Sequence, residues 1–281
     1  MKQSEWEIGK SLRMSRLFDR DSGHSVIVAM DHSFGGAHKG FEDPGKTLEN
    51  VMTGEPDGII LTPGTSRKFQ SHFAGRGAPA MIVSIDYVLF HSFPGSDEAI
   101  EEQGMVTTVE EALRLGADGI KVLMIFGRKD PSIQARNFDT IGKVVEKAHQ
   151  WGLPVMIEPT TWGHKIDQTV AKKTNLLRDI ARIAFEFGAD IVKVDTPENP
   201  AEFKSVSEAC PVPILVLGGA KRTDTMGMLR EVAEIMTQGA SGVTFGRNIW
   251  QHPQPERIIR ALKRVVYLGD LENAFNEIGR G

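Results

Sequence analysis

Two lysines lie inside runs of apolar residues, where an amine can become a nucleophile. Lys193 stands in the string Ile-Val-Lys-Val-Asp, and Lys121 stands in Ile-Lys-Val-Leu-Met-Ile. Removing an ammonium group from water favours its neutral form, and a second cation nearby favours it further. Because a neutral amine attacks carbonyl groups, we expect Lys193 to form a Schiff base and Lys121 to assist it. The structural alternative is a lysine at a strand end that keeps its charge in solvent.

Two carboxylates stand at comparable places in other apolar runs. Glu158 stands in Met-Ile-Glu-Pro, and Asp31 stands in Ala-Met-Asp-His. We expect Glu158 to reach both lysines and to shuttle protons, and Asp31 to bind a substrate hydroxyl or to act as an acid or base. The alternative is that these carboxylates cap turns or neutralise structural cations.

Two turns that contain glycine follow the last two apolar runs. Gly218 and Gly219 stand in Leu-Gly-Gly-Ala-Lys, and Gly246 and Arg247 stand in Phe-Gly-Arg-Asn. Glycine lets backbone N–H groups approach an anion closely, and arginine adds positive charge. Together the turns predict a phosphate-binding site, although a Gly-Gly pair alone is typical of an ordinary turn.

Histidine and cysteine do not indicate a metal site. The eight histidines form no HExxH motif, and the single cysteine, Cys210, forms no zinc-finger spacing with them. His32 and His91 follow the first and third apolar runs and are the candidate metal ligands or substrate contacts. We expect no metal and no other cofactor.

Eight runs of β-branched and aliphatic residues alternate with charged segments of helical periodicity, which is typical of a parallel α/β sheet. The predicted strands are Ser25–Asp31, Gly58–Thr62, Ala80–Asp86, Gly119–Phe126, Pro154–Glu158, Ile191–Asp195, Pro213–Leu217 and Gly242–Phe245. The predicted helices between and after them include Ile133–Trp151, Thr169–Phe187, Thr223–Thr237 and Pro255–Tyr267.

The residues that lead into every second run form an internal repeat. The strings are Glu-Pro-Asp-Gly-Ile at 55, Gly-Ala-Asp-Gly-Ile at 116, Gly-Ala-Asp-Ile-Val at 188 and Gly-Ala-Ser-Gly-Val at 239. In a closed eight-stranded barrel, the inward side chains come in layers of four from alternate strands. The repeat therefore predicts equivalent inward positions for Ile60, Lys121, Lys193 and Thr244.

We therefore predict a single (β/α)8 TIM barrel over residues 1–281, with short helical extensions at the N-terminus and the C-terminus. In such barrels the functional residues lie at the carboxyl ends of the strands and in the loops that follow. The candidate lysines, carboxylates and glycine turns all occupy or adjoin such places.

Composition and charge narrow the possible partners. The 281 residues include 33 Lys and Arg against 37 Asp and Glu, a formal net charge of −4, with no basic tail. This balance argues against a nucleic-acid binder, which needs a cationic surface. The first 18 residues are amphipathic and interrupted by charge, so neither a signal peptide nor a membrane span is predicted. We expect a cytoplasmic protein without a nucleic-acid or membrane partner.

Three strings resemble the class I aldolase superfamily of (β/α)8 barrels. They are Gly-Ala-Asp-Ile-Val-Lys-Val-Asp-Thr-Pro around Lys193, Gly-Ala-Ser-Gly-Val-Thr-Phe-Gly-Arg-Asn-Ile-Trp-Gln after position 238, and Val-Ala-Met-Asp-His around Asp31. This superfamily includes archaeal-type fructose-bisphosphate aldolases, aminodideoxyheptulosonate synthases and autoinducer-2-phosphate thiolases. The resemblance covers residues 25–267. It implies that Lys193 forms the Schiff base, that Asp31 handles a substrate hydroxyl and that the two glycine turns hold a phosphate.

The fifth run departs from the archaeal-type pattern, which places a catalytic tyrosine there. This chain has Ile-Glu-Pro-Thr-Thr-Trp, and its two tyrosines, Tyr87 and Tyr267, lie elsewhere. Glu158 together with Lys121 is similar to the tagatose-bisphosphate and sulfofructosephosphate aldolase branch. In that branch a glutamate and a second lysine assist the Schiff-base lysine.

These observations predict a class I Schiff-base aldolase, a carbon–carbon lyase that acts on a phosphorylated ketose. The resemblance also implies that the chain forms a homo-oligomer. Three alternatives remain open at this point. They are a thiolase that transfers an acyl group from a phosphorylated diketone to coenzyme A, a metal-dependent aldolase that uses His32 and His91, and a non-catalytic protein that binds a phosphosugar.

Overall fold

The computed structural model describes residues 5–89 and 100–279. Its strands are β1 (Ser25–Ala29), β2 (Gly58–Leu61), β3 (Ala80–Ser84), β4 (Asp86–Leu89), β5 (Ile100–Met105), β6 (Gly119–Ile125), β7 (Val155–Thr160), β8 (Ile191–Val194), β9 (Ile214–Leu217) and β10 (Gly242–Phe245). All of these except β4 and β5 are parallel and follow one another around a closed barrel, in which β10 pairs with β1. This architecture confirms the predicted (β/α)8 barrel.

Helices surround the barrel and cover its amino-terminal end. They are α1 (Glu5–Leu17), α2 (Pro44–Met52), α3 (Pro63–Phe69), α4 (Val109–Arg114), α5 (Pro131–Gln150), α6 (Thr174–Glu186), α7 (Lys204–Ala209), α8 (Thr225–Thr237), α9 (Arg247–Trp250), α10 (Pro255–Leu268) and α11 (Leu271–Gly279). Short 3-10 helices span His32–Gly35, Gln70–Phe73 and Pro200–Glu202. Within the described residues, none of the helices combines the length and apolar character needed to cross a lipid bilayer.

Each barrel strand is buried on both faces because alternate side chains point to the barrel interior and to the surrounding helices. On β1, Ile27 and Ala29 belong to an inner apolar cluster, whereas Val26 and Val28 belong to the layer between strands and helices. The inner cluster also contains Ile60, as the repeat predicts.

The register places the other repeat positions on the same inward face. Lys121 pairs with Met156 and Lys193 pairs with Leu215, and both partners belong to the inner cluster. Paired residues of adjacent parallel strands point to the same side of a sheet. Two lysines are therefore held inside the barrel, as the repeat predicts.

The aspartates of the repeat close the amino-terminal end of the barrel. Asp57, Asp118 and Asp190 each accept a hydrogen bond from a backbone N–H at the start of a neighbouring strand. The donors are Val26, Met81 and Val155, at N–O distances of 2.6, 3.0 and 3.0 Å. The sequence repeat thus reflects one hydrogen bond that recurs around the barrel.

Helix α1 covers this amino-terminal end and is attached to it by the same aspartates. Arg16 Nη1 lies 2.7 Å from Asp118 Oδ1, and Lys10 Nζ lies 2.8 Å from Asp190 Oδ1. Leu17, the last residue of α1, is buried in the inner cluster. The helix therefore seals the end of the barrel that lies away from the candidate site.

The predicted end of the third strand, Asp86, is wrong. Strand β3 stops at Ser84, and Asp86 begins β4, which pairs antiparallel with β5 as a separate two-stranded sheet. Nothing in the sequence pattern predicts β5, because Ile-Glu-Glu-Gln-Gly-Met has no alternating apolar residues. The antiparallel sheet brings Asp86 and Gln103 to the carboxyl end of the barrel.

The shared role of the repeat aspartates is testable at Asp118. Replacing it (Asp118→Ala) leaves the Met81 N–H without its buried acceptor and removes the partner of Arg16, so we expect the free energy of unfolding to fall by about 1–3 kcal/mol. Urea denaturation measures this loss. The control is Asp139→Ala on the exposed side of α5, for which a change within about 0.5 kcal/mol is expected. Equal losses in the two variants would contradict the assignment.

Candidate active site

The four candidate acid and amine side chains converge at the carboxyl half of the barrel. Lys121, Glu158 and Lys193 lie on β6, β7 and β8, which are neighbours. Asp31 follows β1, which lies on the opposite side of the barrel from β7. The closed barrel therefore brings together residues that are far apart in the sequence.

One carboxylate oxygen joins the two lysines. Glu158 Oε2 lies 3.0 Å from Lys193 Nζ and 3.0 Å from Lys121 Nζ. Lys121 Nζ also donates a hydrogen bond to Asp31 Oδ2 at 3.2 Å. The four side chains form one continuous chain across the barrel, in the order Lys193, Glu158, Lys121, Asp31.

The chain of ion pairs is almost completely removed from solvent. Lys193, Lys121 and Glu158 are 5, 4 and 3% exposed. Burying such charges costs several kcal/mol per ion, which close ion pairs and hydrogen bonds must offset. Because Lys121 and Glu158 each have two partners of opposite charge, removing one member leaves a buried charge poorly compensated.

Electrostatics fix the charge of three members of this chain. Burial works against the charged form of Lys121, but Glu158 and Asp31 outweigh it and raise the pKa of Lys121 above its ordinary value. Burial likewise opposes the anions, yet Lys121 and Lys193 together hold the pKa values of Asp31 and Glu158 below their ordinary values. Lys121 is therefore a fixed ammonium and a poor nucleophile at neutral pH.

These residues also have structural contacts, because Asp31 and Glu158 each neutralise the buried cation Lys121. Both lysines are buried, so neither reaches solvent as a strand-end lysine does. Asp31 precedes the 3-10 helix His32–Gly35 without capping it, and Glu158 lies within β7. Asp195 does not engage Lys193, because its Oδ1 pairs with Lys172 Nζ at 2.9 Å.

The two glycine turns lie side by side at the ends of β9 and β10, which are adjacent strands. A Cβ atom at Gly218 would lie 2.8 Å from Phe245 Cγ, and one at Gly246 would lie 2.8 Å from the Ala29 carbonyl oxygen. Gly219 has a φ angle of +63°, in the left-handed region. These positions require glycine, because a side chain would clash or strain the backbone.

Asn248 joins the two turns, and the sequence analysis did not identify it. Its Nδ2 donates to the Gly218 carbonyl at 2.7 Å and to the Ala220 carbonyl at 3.0 Å, while its Oδ1 accepts the Arg222 N–H at 2.8 Å. Asn248 is buried and lies two residues after Gly246. An amide directly after a Gly-Arg pair at a strand end is the signal that could have found it.

Arg247 lies at the start of α9, beside these turns. Its Nε is buried and has no hydrogen-bond partner within residues 5–89 and 100–279. Guanidinium groups bind phosphate oxygens strongly, often through two parallel hydrogen bonds. The turns and Arg247 lie together at one corner of the site, and the charge of the arginine suits an anion there.

His32 lies between Asp31 and the glycine turns. Its Nδ1 is 3.8 Å from Asp31 Oδ1, and its ring meets the edge of the Trp250 ring with centroids 5.5 Å apart. Burial lowers the pKa of His32 to about 4, so the imidazole is neutral at physiological pH. His91, the other candidate ligand, lies outside the described residues. Within those residues no group of three or more His, Cys, Asp or Glu side chains is placed to hold a metal ion.

Sequence comparison identifies relatives over most of the chain. The family model for DeoC/LacD family aldolases matches residues 25–252. An uncharacterized aldolase of Saccharolobus solfataricus is 30% identical over 263 residues, which cover 92% of this chain and 95% of that protein. A 2-amino-3,7-dideoxy-D-threo-hept-6-ulosonate synthase of Archaeoglobus fulgidus is also 30% identical, and the match covers 92% of each chain.

Structure comparison gives the same grouping. A Schiff-base-forming fructose-1,6-bisphosphate aldolase superposes with a TM-score of 0.77 at 25% identity, covering 92% of this chain and all of the other. The family match extends from the start of β1 to beyond α9 and so includes every candidate site residue. The chain belongs to the DeoC/LacD family of aldolases and is a class I aldolase, a carbon–carbon lyase.

Proposed function

We propose that this aldolase cleaves or forms a carbon–carbon bond in a phosphorylated ketose through a Schiff base on Lys193. The observation that carries the proposal is the unequal pairing of the two buried lysines. Lys121 is held between two carboxylates, Asp31 and Glu158, whereas Lys193 shares only the second of them at ion-pair distance. Lys193 is therefore the amine that can give up its proton and attack a carbonyl.

The reaction then follows the chemistry of an imine. The neutral amine of Lys193 adds to the C2 carbonyl of the ketose, and loss of water gives an iminium ion. The C3–C4 bond breaks, its electron pair moves into the iminium to form an enamine, and the C4 hydroxyl loses its proton as the aldehyde leaves. Protonation of the enamine at C3 and hydrolysis of the imine release the second product and restore Lys193.

Different side chains of the site carry out these proton transfers. Glu158 Oε2 touches both amines, so it can take the proton of Lys193 and return a proton to the enamine carbon. Asp31, fixed by Lys121, offers its carboxylate to a substrate hydroxyl. Lys121 stays charged and stabilises negative charge that develops on oxygen, as a preorganised cation does in a site that excludes water.

The phosphate of the substrate is assigned to the turns after β9 and β10. β9 neighbours β8, which carries Lys193, so a phosphate at Gly218–Gly219 and Gly246–Arg247 lies on the side of the site next to the nucleophile. Backbone N–H groups and an arginine at this place are a recurrent phosphate site of (β/α)8 barrels. Binding the phosphate there orients the ketone toward Lys193.

The relatives support a substrate of this class. The Archaeoglobus fulgidus protein is named as a synthase of a dideoxyheptulosonate, and the superposed structure is named as a Schiff-base-forming aldolase of a sugar bisphosphate. The first name gives a ketose-type acid as the product, and the second gives Schiff-base aldolase chemistry on a phosphorylated ketose. The homo-oligomer expected from the resemblance belongs to the same proposal, and size-exclusion chromatography with light scattering measures it.

Reductive trapping tests the nucleophile. Borohydride added with a panel of ketose phosphates should fix one substrate fragment to the protein, and peptide mass analysis should locate it on Lys193. We expect Lys193→Met to lose the adduct, whereas Lys173→Met, which alters an exposed lysine paired with Glu198, should keep it. An absence of adduct in the wild type across the panel would contradict the proposal. Coenzyme A added to parallel reactions separates acyl transfer from aldol cleavage.

The shared carboxylate gives a second test. Glu158→Gln keeps the shape of the side chain but removes the base, so we expect the rate of cleavage to fall about 100- to 10,000-fold, the range typical of general acid–base catalysis. Glu198→Gln, which changes an exposed carboxylate, serves as the control and should stay close to wild type. A cleavage rate in Glu158→Gln within a few fold of wild type would remove Glu158 from the chemistry.

Arg247 gives a test of the phosphate site. Arg247→Gln removes a charged donor, so we expect kcat/KM for a ketose phosphate to fall about 10-fold or more. The same substitution should leave kcat/KM for the unphosphorylated ketose nearly unchanged, which serves as an internal control. An equal loss for both substrates would place the phosphate elsewhere.

A further inference from the structure

Asp86 is a buried carboxyl group that lies beside the site and has no role in the mechanism above. It is 1% exposed and begins β4, one residue beyond the end of barrel strand β3. Its Oδ2 accepts the backbone N–H of Leu123 on β6 at 2.7 Å and a short hydrogen bond from Gln103 Nε2 on β5. Gln103 also donates to the Leu123 carbonyl at 2.8 Å. Asp86 thus attaches the two-stranded sheet to the strand that carries Lys121.

The second oxygen of Asp86 differs from the first. Oδ1 is buried and has no hydrogen-bond partner among the residues that the structure describes. Two charged groups act on the carboxylate of Asp86. Lys121 of β6 attracts it, and Glu158 of β7 repels it. The 3-10 helix that packs against β4 contributes His32, which is neutral. This buried oxygen therefore lacks a donor, while the other oxygen of the same carboxyl group binds Leu123, two residues beyond Lys121 on β6.

Burial raises the pKa of Asp86 to about 6, against the pull of Lys121. Above about pH 6 the group is a carboxylate, and below that pH it is protonated. The neighbouring groups do not titrate there, because the pKa of His32 lies near 4 and those of Asp31 and Glu158 are lowered from their ordinary values.

We propose that Asp86 is a positioning residue of the active site. Its carboxylate partly neutralises Lys121 and repels the carboxylate of Glu158, which makes Glu158 a stronger base. The inference rests on the proposed function, in which Glu158 carries protons to and from the substrate. When Asp86 is neutral, Lys121 is balanced by Asp31 and Glu158 alone. Glu158 then loses a repelling neighbour, its anion is better stabilised, and it accepts a proton less readily.

Proton exchange on dihydroxyacetone phosphate isolates this step. Through the imine, the base removes a proton from the carbon next to the former carbonyl, and in D₂O that carbon gains deuterium. We expect the exchange rate of the wild type to fall as the pH is lowered through about 6, because protonation of Asp86 weakens Glu158. Asp86→Asn keeps an oxygen for the Leu123 N–H but holds no charge, so exchange at neutral pH should be about 10-fold slower. The fall near pH 6 should also be absent in this variant.

Two further variants separate charge from structure. Asp86→Glu restores a carboxylate, so the exchange rate of this variant should again fall as the pH is lowered. Gln103→Ala leaves Asp86 in place but removes a donor that stabilises its anion, so the fall should move to higher pH. If Asp86→Asn folds poorly, the shift of the pH profile in Gln103→Ala still tests the proposal. Wild-type exchange with an unchanged pH profile in Asp86→Asn, or an unmoved profile in Gln103→Ala, would overturn it.

Borohydride trapping of dihydroxyacetone phosphate separates a failure of the role of Asp86 from a failure of the Schiff-base function. We expect Asp86→Asn to retain the adduct on Lys193, because imine formation requires the lysine and not Asp86. An adduct in the wild type together with unaltered exchange in Asp86→Asn overturns the role of Asp86 alone. The absence of an adduct in the wild type overturns the Schiff-base function and this inference with it.

Discussion

The site depends on one buried carboxylate that serves two amines. Glu158 Oε2 lies at 3.0 Å from both Lys193 and Lys121. Two ammonium groups so close together and so far from water are stable only with anions between and beside them, which Glu158 and Asp31 provide. Because Asp31 compensates Lys121 from the other side, Glu158 is available to Lys193. On this difference in pairing rests our proposal that Lys193 is the nucleophile and Lys121 a fixed cation.

The barrel supplies the rigidity that this arrangement needs. Lys121, Glu158 and Lys193 lie on adjacent strands whose register is set by backbone hydrogen bonds, so their spacing does not depend on mobile loops. At the far end, the repeat aspartates join strand starts to one another and to helix α1. Stability at one end and chemistry at the other are the usual division in (β/α)8 barrels.

Much of the site follows from local patterns in the sequence. A lysine or carboxylate within an apolar run is conspicuous, and the repeat places Lys121 and Lys193 at equivalent inward positions, so the barrel and its charged residues are predictable. Asp86 is different, because its contacts with β5 and β6 are recorded in no short string. Asn248 could have been found from its place after the Gly-Arg pair, but its contacts with the turn after β9 could not. The two-stranded sheet was missed for the same reason, since the charged residues of β5 carry no strand periodicity.

A crystal structure of the protein after reduction of its imine with a ketose phosphate shows which of the two lysines bonds to the substrate. If Lys193 is the nucleophile, we expect continuous density from Lys193 Nζ to C2 of the substrate, with Lys121 unmodified between Asp31 and Glu158. We also expect the phosphate to lie against the turns at Gly218 and Gly246. A covalent bond to Lys121, or a phosphate bound at the β2 and β3 side of the barrel, would contradict the proposed mechanism.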